Sequence, residues 1–559
     1  MIAPLRIQKE GVIMLKVMAV SAPHWEIKRI TGAAKHLNSL VPFSLYNAVK
    51  NAASLAARGI GCWGKSNWKD LEERNESVFL MQYFENEKNH FEKQIQKIKP
   101  NLLLIGTMTL GFPGAVEIAK IAKKVLGNNV LIVLGGKHVN ETVYLKRDAV
   151  KEHLASPLEL MKSGKIPQVF DLVVSGDGED VIVKIGELVD QLKDMNDIRF
   201  NRSLYENKLS EAMGDWLAVW NNEKKTYYIK SKGKPIDYSR NLSMLDLFGV
   251  KGKFDIFDKD YTVHLYANTG RGCVHNCFFC SEKVEINGKP KNIMEAPFQL
   301  VEDLAKIKEY ANKEYGKNNI SAFVENSIFL NGNKQAIEKF LKIIKEAKPG
   351  VDFGVQLTID LLLDDDIQTY IGELTDFGLK YIFWGLETNN NEIANQINKN
   401  REKTSWVDRN EEAISFISKI GIDCGLSLIF GLGESHEERV ALFKKLIDLK
   451  KNYGKPDILS MNLGTKHPLQ EEDNATNYEY YKWGTPKDSD YAPILIDLFG
   501  EASVNYKLTN NHFPSIEELK DIKKMYDLFQ DIQVTKKYVK HCIIPSKEVD
   551  YMFPVFQAI

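Results

Sequence analysis

The chain has no long apolar run, no excess of charge of either sign and few cysteines. No stretch reaches the roughly 18 apolar residues that a membrane span needs, and residues 1–13 lack the charged-then-apolar pattern of a signal peptide. Lys and Arg number 74 against 75 for Asp and Glu, which gives no reason to expect a nucleic-acid partner. The six cysteines are too unevenly placed for a disulfide framework. We therefore expect a cytoplasmic protein without a membrane span.

Length and composition indicate several hydrophobic cores. A chain of 559 residues is too long for one core, and 44% of its residues are apolar. We predict a first domain over residues 15–196, a connector over 197–255, a second domain over 256–470 and a small mixed or helical C-terminal domain over 471–559. In the connector, Trp216 and Trp220 are four residues apart, which favours one side of a packed helix.

The first domain alternates between short apolar strands and amphipathic helices. Strands are predicted at Leu15–Val20, Val78–Phe84, Leu102–Ile105, Val130–Leu134 and Leu172–Val174. Apolar residues at helical spacing run from Ala115 to Val125 and from Ile182 to Leu192. This pattern predicts an α/β fold with a doubly wound, Rossmann-like parallel sheet, which binds ligands at the carboxyl ends of its strands.

The second domain repeats the alternation six times. Its strands are predicted at Val263–Ala267, Ile320–Val324, Phe353–Thr358, Tyr381–Trp384, Leu426–Phe430 and Ile458–Leu463. Ser435 followed by Glu438 is typical of a capping box that opens a helix. Six β/α units predict a partial barrel, whose chemistry lies at the carboxyl ends of the strands.

Three cysteines lie within eight residues, in the C-x-x-x-C-x-x-C run of Cys273, Cys277 and Cys280. Thiolates this close can bind one metal centre. A 4Fe–4S cluster takes four thiolates, so three leave one iron open to a ligand that is not protein. Zinc is the alternative; it needs a fourth Cys or His, and His275 is available in the run.

The cysteine run resembles that of the radical S-adenosylmethionine (radical SAM) superfamily, down to the aromatic Phe279 before the last cysteine. The resemblance implies that SAM occupies the open iron and that Phe279 lies beside its adenine. It also implies SAM contacts at successive strand ends. These candidates are Glu325 and Ser327 in Glu325-Asn326-Ser327, Gln356, Glu387 in a G-x-E turn, and Gly431 in Gly-Leu-Gly-Glu. A carboxylate at such a position can accept hydrogen bonds from ribose hydroxyls or the SAM ammonium.

Three strand ends of the first domain resemble a cobalamin-binding domain. The candidate contacts are Thr107, Thr109, Gly135, Gly136, Gly176, Gly178 and Glu179. The D-x-H-x-x-G motif, whose His ligates cobalt, is absent. We do not assign His138 as a cobalt ligand, because such a loop His more often serves as a hydrogen-bonding residue. The alternative for these Gly turns is a purely structural role, since they are common in doubly wound domains.

The resemblance to radical SAM enzymes with an N-terminal cobalamin domain spans residues 15 to 470. It implies a 4Fe–4S cluster, SAM and cobalamin, and most often methyl transfer to an unactivated carbon through a 5′-deoxyadenosyl radical and methylcobalamin. The alternatives are a non-methylating rearrangement, ring contraction or cyclisation, and a cobalamin-binding sensor or carrier with an inert barrel. A small-molecule, lipid or peptide substrate and an electron donor such as flavodoxin or ferredoxin are the implied partners.

Overall fold

The protein is described by a computed structural model over residues 15–28, 78–81, 83–146, 148–191, 202–222, 225–234, 261–265, 272–283, 292–315, 319–402, 404–468, 479–484, 491–499, 506–509 and 513–532. Two sheets of seven and six strands dominate it, with one separate two-stranded hairpin. No helix in these ranges is long and apolar enough to cross a membrane.

The first sheet has the strand order β2-β1-β3-β4-β7-β8-β9. Its first five strands pair in parallel, and β8 and β9 add to one edge as antiparallel strands. The strands are β1 Val17–Ser21, β2 Val78–Leu80, β3 Leu102–Gly106, β4 Leu131–Gly135, β7 Leu172–Gly176, β8 Trp216–Asn222 and β9 Lys225–Lys230, with β5 Val143–Lys146 and β6 Ala149–Glu152 forming the separate hairpin. All five predicted strands are present, which confirms a Rossmann-like parallel sheet.

Helices cover both faces of this sheet and build a hydrophobic core on each side. They are α1 Phe84–Ile98, α2 Phe112–Leu126, α3 Lys137–Thr142, α4 Pro157–Lys162, α5 Gly178–Val189 and α6 Arg202–Leu209. In α2, Pro113 stands in the first turn, where its missing N–H costs no hydrogen bond.

The predicted helix at Trp216 and Trp220 is wrong, because these residues lie in strand β8. A spacing of four fits the two-residue repeat of a strand as well as the 3.6-residue repeat of a helix. Both indoles are buried with the core that covers one face of the first sheet. The strands β8 and β9 of the predicted connector thus extend the first sheet.

The second sheet contains six parallel strands in sequential order, β10 to β15. They are β10 Tyr261–Leu265, β11 Ile320–Val324, β12 Asp352–Gln356, β13 Leu379–Glu387, β14 Asp423–Phe430 and β15 Ile458–Leu463. The helices around them are α7 Ala296–Tyr315, α8 Lys334–Ala347, α9 Ile359–Leu362, α10 Asp365–Leu374, α11 Asn391–Gln396, α12 Trp406–Ile420 and α13 His436–Tyr453. The six predicted strands and the partial barrel are confirmed.

Local signals place the ends of these helices. The predicted capping box opens α13: the Ser435 hydroxyl accepts from the Glu438 N–H, and the Glu438 carboxylate accepts from the Ser435 N–H.

Two later helices, α14 Tyr491–Phe499 and α15 Ile516–Asp531, pack on the barrel core through Leu495 and Leu519. Because sequential parallel strands end at one edge, the loops after β10 to β15 lie side by side there.

Candidate functional site

The loop after β10 carries the three cysteines, none of which is in a disulfide. Cys273 is buried, and Cys277 and Cys280 are half-buried. Backbone N–H groups donate to two sulfurs: His275 N lies 3.3 Å from Cys273 Sγ, and Glu282 N lies 3.4 Å from Cys280 Sγ. Burial is the main cause that raises the pKa of each thiol, to about 12 for Cys280.

A second segment, Ile397–Lys399, holds the cysteine loop from the side. Phe278 N donates to Ile397 O at 3.0 Å, and Asn398 Nδ2 donates to Asn276 O at 2.8 Å. Cys277 Sγ lies 3.8 Å from Asn398 O. Asn398 adopts a φ of 56°, a left-handed conformation that Asn tolerates better than most residues. The middle of the cysteine loop is therefore fixed by a part of the chain about 120 residues further on.

A buried ion pair lies at the end of β13. Lys399 Nζ is 3.0 Å from Glu387 Oε1, and the two side chains are 15% and 6% exposed. Burial disfavours the Lys399 charge, but Glu387 and two of the thiols outweigh it and raise the pKa of Lys399. Glu387 has a φ of 62°, a strained conformation for a residue other than glycine. Its second oxygen, Oε2, is buried and has no hydrogen-bond partner in the part of the chain that the structure describes.

Gly385 makes room for this pair. A Cβ at position 385 would lie 1.9 Å from Glu387 Oε1 and 2.6 Å from Lys399 Nζ. The first glycine of the G-x-E turn is therefore required by the ion pair that folds back across it.

Phe279 and the Gly431 turn, both predicted near the SAM adenine, lie together. Phe279 packs against the small cluster that contains Ile397 and Leu432. The Glu434 carboxylate accepts from Gly431 N and Leu432 N, both at 2.7 Å, and also pairs with Arg439 Nε at 2.8 Å. Glu434 thus has a structural role that fixes the turn.

The remaining predicted SAM residues stand at neighbouring strand ends. Glu325 and Ser327 follow β11, and Gln356 ends β12, which pairs with β11. Ser327 is exposed, and Glu325 and Gln356 are half-buried. Thr358 follows β12, and its buried hydroxyl has no hydrogen-bond partner within the described ranges. The SAM roles of these residues stay predictions.

At the edge of the first sheet, Thr107 and Gly136 are in close contact. Thr107 N donates to Gly135 O at 3.1 Å, and a Cβ on Gly136 would lie 2.5 Å from Thr107 O. The 100° φ of Gly136 also favours glycine there. Packing alone accounts for this glycine, so its cobalamin contact stays a prediction, as does that of Gly135.

Thr109 belongs to a buried polar group with His138 and Glu141. Its hydroxyl donates to Glu141 Oε2 at 2.9 Å and lies 3.1 Å from His138 Nδ1. His138 Nε2 lies 3.1 Å from Ala155 O, so both ring nitrogens have protein neighbours. His467, which follows β15, reaches 3.5 Å from Glu141 Oε2. This group links the first sheet to the barrel, and His138 is the hydrogen-bonding residue that we expected.

The third predicted turn, Gly176 to Glu179, closes against the start of β8. A Cβ on Gly176 would lie 2.2 Å from Asp215 O, and Gly176 N donates to Asn140 Oδ1 at 2.9 Å. Gly178 opens α5, and Glu179 is buried in its first turn. Their cobalamin contacts stay predictions.

One ion pair joins the edge of the first sheet to the cysteine loop. Lys137, directly after Gly136, places Nζ 2.5 Å from Glu282 Oε1. The backbone of Glu282 also forms hydrogen bonds with two of the cysteines. Its carbonyl accepts from Cys273 N at 3.1 Å, and its N–H donates to Cys280 Sγ. The two sheets therefore present their carboxyl ends to the same region.

Sequence reasoning missed Lys399, Asn398, Lys137 and Glu282. Each lies in a polar loop without periodicity, and its partner is distant in sequence. The only local signal is the position of Lys137 after a Gly-Gly turn, where a ligand-binding edge was already predicted.

A half-barrel with a three-cysteine loop after its first strand defines the class of protein, an enzyme domain built around a metal cofactor. Residues 267–446 match the Radical SAM superfamily model. These residues therefore form a radical SAM domain, which implies a 4Fe–4S cluster and SAM.

Individual proteins also resemble this chain. An uncharacterized methyltransferase of Pyrococcus horikoshii is 25% identical over 67% of this chain and 69% of its own. The biotin synthase of Methanococcus aeolicus is 28% identical over 32% of this chain and 49% of its own. The radical SAM methyltransferase TsrM from Kitasatospora setae, solved with cobalamin and a 4Fe–4S cluster, shares the fold at 12% identity. Its TM-score is 0.50, over 82% of this chain and 74% of that one.

Proposed function

We propose that this chain is a cobalamin-dependent radical SAM methyltransferase that acts on an unactivated carbon. The observation that carries the proposal is the contact between Lys137 and Glu282, since it brings the ligand-binding edge of the first sheet to the cysteine loop. A reaction that needs two cofactors on one substrate requires such an arrangement.

The cysteine loop fits a 4Fe–4S cluster. Its three thiols have no disulfide partners, and N–H groups point at two of the sulfurs. No three Cys, His, Asp or Glu side chains among the described residues converge on one point as ligands of a single ion do. A four-iron cluster does not require this, because each thiolate binds a different iron. Cys273, Cys277 and Cys280 would hold the cluster, which supplies one electron to SAM when bound.

The strand ends beside the loop fit SAM. Two buried oxygens there, Glu387 Oε2 and Thr358 Oγ1, have no hydrogen-bond partner among the described residues, and a bound ligand would supply one. Glu387 would accept hydrogen bonds from ribose hydroxyls or the ammonium of SAM. Phe279 and the Gly431 turn would line the adenine side. Glu325, Ser327 and Gln356 would complete the site at the ends of β11 and β12.

The edge of the first sheet fits cobalamin as a binding surface. The ends of β3, β4 and β7 are neighbours in the sheet, which places the three predicted turns side by side. The buried Glu141 Oε1 near Thr109 has no hydrogen-bond partner among the residues that are described. The predicted contacts are Thr107, Thr109, Gly135, Gly136, Gly176, Gly178 and Glu179. Cobalamin supplies a transferable methyl group when bound, and the methyltransferase relative and the fold shared with TsrM support this choice.

The experiment is an anaerobic assay of the reconstituted protein with SAM, cobalamin, a reductant and candidate small-molecule, lipid or peptide substrates. Methyl transfer predicts equal amounts of 5′-deoxyadenosine and S-adenosylhomocysteine. If 5′-deoxyadenosine forms without S-adenosylhomocysteine, the reaction is a rearrangement, ring contraction or cyclisation and not methyl transfer. Cobalamin binding without SAM cleavage would replace the enzyme by a sensor or carrier. The triple change of the cysteines to alanine is the matched control, and flavodoxin or ferredoxin is tested as the electron donor.

A further inference from the structure

We propose that Lys399 is a positioning residue that sets the reduction potential of the cluster by holding a positive charge beside the cysteine loop. This inference rests on the proposed function, because it assumes a cluster bound to Cys273, Cys277 and Cys280. It assigns to the segment Ile397–Lys399 a role that goes beyond holding the loop in place.

The segment is fastened to the loop by its backbone. Ile397 O accepts from Phe278 N, Asn398 Nδ2 donates to Asn276 O, and Asn398 O lies next to Cys277 Sγ. Lys399 is the next residue, so its position relative to the thiols is fixed by these contacts. Arg409 Nη1 donates to Asn400 Oδ1 at 2.9 Å and so holds the residue that directly follows the segment.

The charge itself is held in place. Lys399 is only 15% exposed and pairs with Glu387, which itself has a strained φ of 62°. Gly385 leaves the space that both groups fill. A charge on a flexible surface side chain would be screened by salt, but a charge fixed in a low-dielectric site acts over several ångströms.

Lys399 directly follows Asn398, whose carbonyl oxygen lies 3.8 Å from Cys277 Sγ. Its ammonium pairs with Glu387 at the end of β13, so the positive charge is held next to the cysteine loop. Other charges that reach the loop are Glu387, Glu282, Arg401 and Asp360, so the local field is mixed. An electron added to the cluster makes it more negative, so a fixed cation stabilises the reduced form and a fixed anion destabilises it.

The test is a potentiometric titration of the reconstituted full-length chain without SAM, with dithionite as the one-electron reductant and the EPR signal of the reduced cluster as the readout. Replacing Lys399→Met removes the cation, and we expect about a tenfold lower ratio of reduced to oxidised cluster at a given potential. That ratio corresponds to a midpoint about 59 mV more negative for one electron. Replacing Glu387→Gln removes the neighbouring anion, and the midpoint is expected to move in the opposite direction.

If the two variants shift the midpoint in opposite directions, the cause is electrostatic. Structural damage to the site would not depend on the sign of the charge that is lost. Lys399→Arg keeps the charge and should restore the wild-type midpoint. Lys445→Met, which removes a cation paired with Glu411 on the helices outside the barrel, should leave it unchanged.

Equal midpoints in wild type and Lys399→Met would overturn the inference while leaving the proposed function intact. If the Lys399→Met variant takes up no cluster, the Glu387→Gln variant decides. A reduction midpoint equal to that of the wild type overturns the inference, and a more positive midpoint supports it. If the wild-type chain takes up no cluster, the proposed function fails and this inference fails with it.

Discussion

Lys137 Nζ lies 2.5 Å from Glu282 Oε1, across the boundary between the first sheet and the barrel. Glu282 also bonds to two of the cysteines through its backbone. One residue therefore connects the Gly-Gly turn of one sheet to the cysteine loop of the other.

Reversing one charge of the pair should loosen the contact, and reversing both should restore it. In Lys137→Glu or Glu282→Lys two like charges face each other, whereas the double variant recreates an opposite pair. Because the side chains are 19% and 36% exposed, we expect each single change to cost about 1 kcal/mol or less. Hydrogen exchange of residues 135–140 and 280–283 is the measurement. Exchange in the double variant as fast as in the singles would contradict a direct interaction.

Gly385→Ala should weaken SAM binding and leave the cluster in place. The added Cβ would lie 1.9 Å from Glu387 Oε1, so the Glu387–Lys399 pair must move, whereas its three nearest atoms include none of the cysteine loop. We expect at least a tenfold weaker affinity for SAM, about 1.4 kcal/mol, at unchanged iron content. Calorimetric titration under anaerobic conditions measures it. Gly372→Ala is the control, since nothing lies within 4 Å of its Cβ; wild-type affinity in Gly385→Ala would refute the role given to the pair.

The first domain should lose stability as the pH falls from about 6.5 to 4. Burial lowers the pKa of His138 and His153 to about 4, against about 6.5 in the unfolded chain. Between these pH values the unfolded state binds more protons than the folded state. The contribution of the two neutral histidines to the free energy of unfolding is therefore complete above pH 6.5 and is lost as the pH approaches 4. His138→Gln should flatten the pH dependence of the urea midpoint between pH 7 and 5. An unchanged slope would show that His138 is not a source of the acid sensitivity.

Arg439→Met should destabilise the barrel strongly. Arg439 and Glu434 are 2% and 5% exposed, and loss of the guanidinium leaves a buried carboxylate without its cation. Breaking a buried pair from one side costs about 3–5 kcal/mol. Urea denaturation is the measurement, and Arg439→Met combined with Glu434→Gln should recover part of the loss. Lys445→Met breaks the pair with Glu411, whose side chains are partly exposed, and should cost about 1 kcal/mol or less. Equal losses of unfolding free energy in Arg439→Met and Lys445→Met would contradict the role of burial.

The strands and helices of the two sheets were predictable because their apolar residues repeat with a clear period. The order β10 to β15 follows from this pattern, whereas the cysteine loop was predictable from the close spacing of its three cysteines. The strand at Trp216 was not predictable from the spacing of two indoles, because the pairing of β8 with β7 decides its conformation. Lys399 was not predictable either, since its role depends on Glu387, twelve residues earlier, and on a cysteine loop about 120 residues away.

The pairing of β8 with β7 has a practical consequence for anyone who divides this chain. A fragment ending at residue 196 would lack two strands and would expose the backbone donors and acceptors of β7 as an open edge, a template for aggregation. During synthesis the first sheet likewise stays incomplete until residue 230 has left the ribosome. A fragment meant to be expressed alone should therefore extend past β9.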